Sequence, residues 1–252
     1  MKAQRTIMNT SSTIITNTPG STAAYHGIGY TALIGLLSKI KVSFIIGSKM
    51  AFFGASHCIS PLVGYYSGAK ASLYTFLART CISAVFLSSM PLALLFYHIP
   101  TLCASLYFAA HAQTKNSLRN RFALATIPLL CFVLFYLHPV GNQALAYTAF
   151  WLLPLLSLLI AHKNIFIHAL ASTFMAHAAG SAIWLYTVGP KTADLWLALI
   201  PIVIVERMLF ASGMVLCIQL VAYAQTNRSK LAALWNKIVA PQTTANTLVT
   251  GK

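Results

Sequence analysis

Among 252 residues the chain carries two acidic side chains, Asp194 and Glu206, against 17 lysines and arginines. Both acids fall in one stretch, Asp194 to Tyr223, which reads DLWLALIPIVIVERMLFASGMVLCIQLVAY and is otherwise almost wholly apolar. A carboxylate inside hydrocarbon is costly unless it faces protein or water, or finds a partner. Glu206 is therefore the first residue to which chemistry is assigned. Its neighbour Arg207 points about 100° away around a helix, so the partner is expected on another element, at Arg79 or His177. His177 belongs to a polar stripe with Thr173 and Ser181, and Trp184 and Tyr186 stand at its far end. The candidate solute-binding set is thus Glu206, His177, Ser181, Trp184 and Arg79. The stripe reads equally well as a packed helix interface.

Other chemistries lack their residues. Two acids supply no paired carboxylates for glycoside hydrolysis or for a magnesium-dependent transferase. There is no G-x-x-x-x-G-K-[ST] loop for ATP, no H-E-x-x-H and no G-x-S-x-G. Ser56 and His57 are adjacent, so on a helix they diverge and make a poor nucleophile–base pair. Of the eight histidines, His168 and His177 share a segment but lie nine residues apart, on opposite faces. The five cysteines, Cys58, Cys81, Cys103, Cys131 and Cys217, form no C-x-x-C pair and read as small buried apolar residues. No catalytic residue, metal ligand set or cofactor is expected, and the chain is not read as an enzyme.

The elements that must position the candidates follow from composition. Hydrophobic residues make up 58% and charged residues 8% of the chain, with a mean hydropathy of +0.74. A soluble domain runs near one quarter charged, so this chain lacks the polar surface to cover a water-facing globule. Ten-residue alternating strands, as a membrane barrel needs, are missing. The expected fold is all-α, a polytopic transmembrane bundle of about six spans. The count rises to eight if the lysine-interrupted start and the proline-broken tract 71–112 each divide. Residues 1–27 are expected to be a polar arm, 28–223 the bundle, and 224–252 a tail. In that tail KLAALWNKIVA, Lys230 to Ala240, reads as an amphipathic interfacial helix.

The formal charge of +15 lies in small clusters at the ends of apolar runs. That placement points to the lipid bilayer as the partner and not to nucleic acid. Lys115, Arg119 and Arg121 in one loop, Arg228, Lys230 and Lys237 in the tail, and Lys2 and Arg5 at the start put both termini and that loop in the cytoplasm of a multi-pass cell-membrane protein. Small residues recur every four positions at Gly47, Ala51 and Ala55, at Gly64, Gly68 and Ser72, and at Ser172, Ala176 and Gly180. Such rows let helix backbones approach closely in lipid. Pro61 is expected to bend or end a helix, and Pro201 to kink the Asp194–Tyr223 segment.

Residues 51 to 79, AFFGASHCISPLVGYYSGAKASLYTFLAR, resemble the early segment of the substrate-binding S components of energy-coupling-factor (ECF) transporters. The resemblance lies in the small-residue run, the Pro-Leu-x-Gly and a further glycine four residues on. It implies six helices, both termini cytoplasmic, capture of a small solute, and reliance on a coupling subunit and separate ATPases. Ala51 and Ala55 are the nearest match to the row through which such proteins contact the coupling subunit, with Gly64 and Gly68 as further packing positions. Two functional classes follow from the sequence. One is a membrane protein that binds or transports a small solute; the other is a non-transport subunit or assembly scaffold held by helix packing.

Overall fold

A computed structural model describes residues 20–44, 52–86, 98–112, 118–159, 164–187, 189, 192–230, 232, 233 and 235; of residues 20–28, 42–44, 52–53, 86, 118–119 and 159 it describes the backbone alone. The described residues are helical apart from one short ribbon. Helix α1, Gly20–Leu37, begins within the segment expected to be a polar arm. Strands β1, Lys41–Phe44, and β2, Phe52–Gly54, then pair antiparallel, with Lys41 opposite Gly54 and Phe44 opposite Phe52. Gly47 and Ala51 lie outside the described residues, and Ala55 sits in the turn before helix α2, Ser56–Ile59.

Pro61 separates α2 from α3, Leu62–Phe86, as a residue without a backbone donor should. The next helix, α4, is Ile99–Ala112, and α5 is Leu118–Leu137, so the second half of the basic stretch 113–121 is already helical. The apolar run that follows α5 is composite. A short α6, Pro139–Gln143, passes through a 3-10 segment, Leu145–Trp151, into α7, Leu152–Leu159. Helix α8, Ile165–Thr187, is continuous. The segment expected to kink at Pro201 divides two residues earlier, where α9, Ala193–Ala198, gives way at Leu199 to α10, Ile200–Thr226. Pro201 then stands in the first turn of α10, where its missing N–H has no intrahelical bond to lose. Pro100 in α4 and Pro139 in α6 occupy the same kind of position.

Packing is built on the α3–α4 and α4–α8 contacts, with α1 against α3. The α3–α4 approach depends on Gly64, because a Cβ there would overlap the Ser105 carbonyl. Gly68 behaves differently. It interrupts α3 with φ 78° and ψ −178°, a conformation that side chains disfavour. The row at Ser172 and Gly180 does pack closely on α4: the Ser172 hydroxyl donates to the Ala104 carbonyl (3.1 Å), and a Cβ on Gly180 would touch Pro100. An aromatic core forms where α5, the 3-10 segment, α8 and α9 converge. There Phe135 meets Trp151 and Trp196 edge-on, at centroid separations of 5.4 and 5.2 Å. Edge-to-face pairs of this kind add to the burial of large rings.

The outer surface is as apolar as the core. Residues Asn120–Leu137 have a mean hydropathy of 1.7, yet only 17% of them are buried, and Phe122, Leu130 and Leu137 are among the exposed. Among the described residues, three helical stretches are long and apolar enough to cross a membrane: Asn120–Leu137, Ile165–Thr187 and Ala193–Thr226. Residues Met1–Val215 form one compact unit and Leu216–Lys252 a second. Within the second, the backbone is helical to Thr226, and Trp235, in the expected interfacial helix, is exposed; most of that helix lies outside the described residues.

Candidate functional site: a polar pocket at Arg79

Ser72, Thr75 and Arg79 recur at i, i+3 and i+7 along α3, so they share one helix face. Thr101 and Ser105, four residues apart on α4, share another. Because Gly64 lets these helices approach closely, the two faces meet around a pocket of about 260 Å3, counting its open mouth. Ser60, His98, Ile34, Val63, Phe76 and Leu102 complete the lining. Arg79 is half-buried, whereas Ser60, Ser72, Thr75, His98, Thr101 and Ser105 are buried.

The hydrogen bonds hold this wall in place. The Gly64 N–H donates to Ser105 Oγ (2.9 Å), and the Ser105 and Ser72 hydroxyls are 2.8 Å apart. Ser72 Oγ donates to the Gly68 carbonyl (3.0 Å), which spends its single proton, so Ser105 is the donor between the two serines. Arg79 Nη1 donates to Thr101 Oγ1 (3.4 Å), and Thr101 in turn donates to the His98 carbonyl (3.0 Å). His98 Nδ1 lies 3.4 Å from Thr80 Oγ1. The kink at Gly68 therefore has a local consequence: it presents a carbonyl to Ser72, at the edge of the pocket.

The other four candidate residues belong elsewhere. Glu206 Oε2 is paired with Arg207 Nη2 at 3.4 Å, both residues being buried. This corrects the expectation that sequence neighbours would not meet. The two helix directions diverge, but long flexible side chains can curl back to a common point, and a buried carboxylate gains most from the nearest cation. Arg207 also lies over the Phe210 ring, 5.0 Å from its centroid. His177 stacks near Tyr147 (5.3 Å), whose hydroxyl is 3.2 Å from Ser181 Oγ. Trp184 meets Trp196 at 5.3 Å within the aromatic core. Glu206, His177, Ser181 and Trp184 thus stand around packed rings, and Arg79 alone of the five lines the pocket. His57 has both Arg79 and Arg207 among its charged neighbours.

Sequence reasoning missed two further features. The pocket hydroxyls were legible as the Ser72–Thr75–Arg79 and Thr101–Ser105 spacings, a signal as regular as the glycine rows. The pairing of His111 with His168, ring centroids 4.2 Å apart, joins α4 to α8 and has no signature within either segment. Among the described residues no group of three or more His, Cys, Asp or Glu is placed to hold a metal ion, and all five cysteines are free thiols.

Among the described residues, fold and site together define a helical protein with three stretches long and apolar enough to cross a membrane and an open-mouthed polar pocket lined by one arginine. No family model matches the chain, and no curated protein or solved structure matches it either.

Proposed function

We propose that this is a multi-pass membrane protein that binds a small solute in the Arg79 pocket, as the solute-capturing component of a transport system. The observation that carries the reading is the pocket itself: a guanidinium among six polar residues, in a bundle whose outer face is apolar. The hydroxyls are hydrogen-bonded within the wall, so what remains to meet a solute is the charge of Arg79. The enclosed space is about 20 Å3, room for a group of one or a few atoms, which points to a small solute. In this reading the bundle crosses the membrane six times with both termini cytoplasmic. Energy comes from separate ATPases through a coupling subunit, since the sequence offers no ATP loop of its own.

The second reading, a membrane subunit or scaffold, draws on the core around Trp184, Trp196 and Tyr147. There the expected solute stripe is occupied by packed rings. The two readings part on one experiment. The protein is reconstituted in nanodiscs, and its melting is followed against a panel of small charged and neutral solutes, in wild type and in Leu102→Trp, which fills the pocket. Solute binding predicts that at least one solute raises the wild-type melting temperature and that Leu102→Trp abolishes the rise. Melting indifferent to every solute, or a rise that survives Leu102→Trp, favours the scaffold.

A further inference from the structure

We propose that the Arg79 pocket is a site for a small monovalent anion, of the size of a halide or nitrate. The inference deepens the solute-binding reading and rests on it. Its basis is a charge count that no conformation of the chain can alter. The sequence has two acidic side chains. Glu206 pairs with Arg207, and Asp194 is exposed in the first turn of α9. Among the described residues, the side-chain hydrogen bond of Arg79 goes to the neutral Thr101 hydroxyl and not to a carboxylate. A guanidinium carries five N–H donors in a planar fork and stays charged, and the Thr101 contact uses one of them. A half-buried cation in a helical bundle is stabilised most by an anion brought from outside.

The rest of the lining suits such a ligand. The hydroxyl protons of Ser60, Ser72, Thr101 and Ser105 are given to Ser56, Gly68, His98 and Ser72, so the guanidinium's own N–H groups are the donors to an anion, within a lining that is otherwise uncharged hydroxyl, histidine and apolar side chains. A single arginine with no lysine beside it in the lining matches a single negative charge. A metal cation is disfavoured by the same count. A phosphodiester headgroup of a lipid also carries one negative charge, so the shared chemistry is a monovalent anion, and its source is decided by experiment.

The protein, in zwitterionic phosphatidylcholine nanodiscs, is equilibrated in sodium gluconate, whose anion is too bulky for the pocket. Bromide and nitrate are then titrated in at constant ionic strength while melting is monitored, and a parallel set of discs contains phosphatidylglycerol. The expected result is a saturable rise in melting temperature whose midpoint concentration increases about tenfold or more in Arg79→Gln, the loss of a charge-assisted hydrogen bond. Arg79→Lys keeps the charge without the fork and is expected to fall between the two. Should Arg79→Gln fail to fold, Thr101→Val, which keeps the shape and removes the hydroxyl that steadies the guanidinium, is expected to raise the midpoint severalfold. If phosphatidylglycerol raises the melting temperature in gluconate and blunts the bromide response, the resident anion is a lipid phosphate on the same arginine. The absence of any saturable anion response in both lipids overturns the proposal, as does an unchanged midpoint in Arg79→Gln or, where that variant does not fold, in Thr101→Val. Stabilisation by neutral solutes alone, abolished by Leu102→Trp, also overturns it but leaves the solute-binding reading standing.

Discussion

Glu206 shows what the sequence can and cannot say about one residue. Its rarity made it legible: one of two acids, set in a long apolar run. Its partner was not legible, because the choice between Arg207 and a cation on another helix depends on how two flexible side chains bend, and no periodicity encodes that. The observed pair, Arg207 Nη2 to Glu206 Oε2 at 3.4 Å, is buried. Removing one partner of a buried pair strands the other charge, a loss of about 3–5 kcal/mol in comparable pairs. Glu206→Gln should therefore lower the melting temperature sharply, and the double variant Glu206→Gln/Arg207→Met should recover part of the loss, because the stranded cation is gone. Denaturation in detergent for the four proteins of that cycle checks it. Equal stability of wild type and Glu206→Gln would mean that the carboxylate is not relied upon by Arg207.

At the scale of elements, the helical segments were legible wherever apolar runs are bounded by proline or by polar residues, as in α5 and α8. Boundaries that depend on tertiary contacts were not. The ribbon β1–β2 lies in a stretch whose small residues and aromatics suit a helix in lipid as well as a strand. The break at Leu199, two residues before Pro201, follows from proline's preference for a first turn, a rule that reads the same residue as a start instead of a kink. Gly64 and Gly68 look alike in the sequence but differ in role. Gly64 provides clearance to Ser105, while Gly68 supplies a backbone conformation at φ 78°. Gly68→Ala and Gly68→Asn should therefore both destabilise, by about 1–3 kcal/mol, because φ 78° with ψ −178° lies outside the left-handed helical region that asparagine tolerates. Thermal melting checks this, and a stability equal to wild type in either variant would mean that Gly68 is not needed for its backbone conformation.

Across the whole molecule, composition carried the argument furthest. A chain with 8% charged residues has nothing with which to wet the exposed apolar face of Asn120–Leu137, and the structure leaves that face unburied. The same scarcity of acids bears on the chemistry of the pocket, since 17 lysines and arginines share two side-chain carboxylates. The site was half legible: Arg79 was among the candidate residues, but it was joined to Glu206 and His177, because sequence distance gives no hint of which helices meet. Gly64 and the hydroxyls at Ser72 and Ser105 show that α4 is what α3 faces. The most direct measurement is X-ray diffraction from crystals grown in a lipidic mesophase and soaked in sodium bromide, with data collected at the bromine absorption edge. An anomalous peak within hydrogen-bonding reach of the Arg79 guanidinium, bordered by Thr101 and Ser105, is the predicted result. A pocket at Arg79 without anomalous density, while bromide peaks occur elsewhere on the protein, would contradict it.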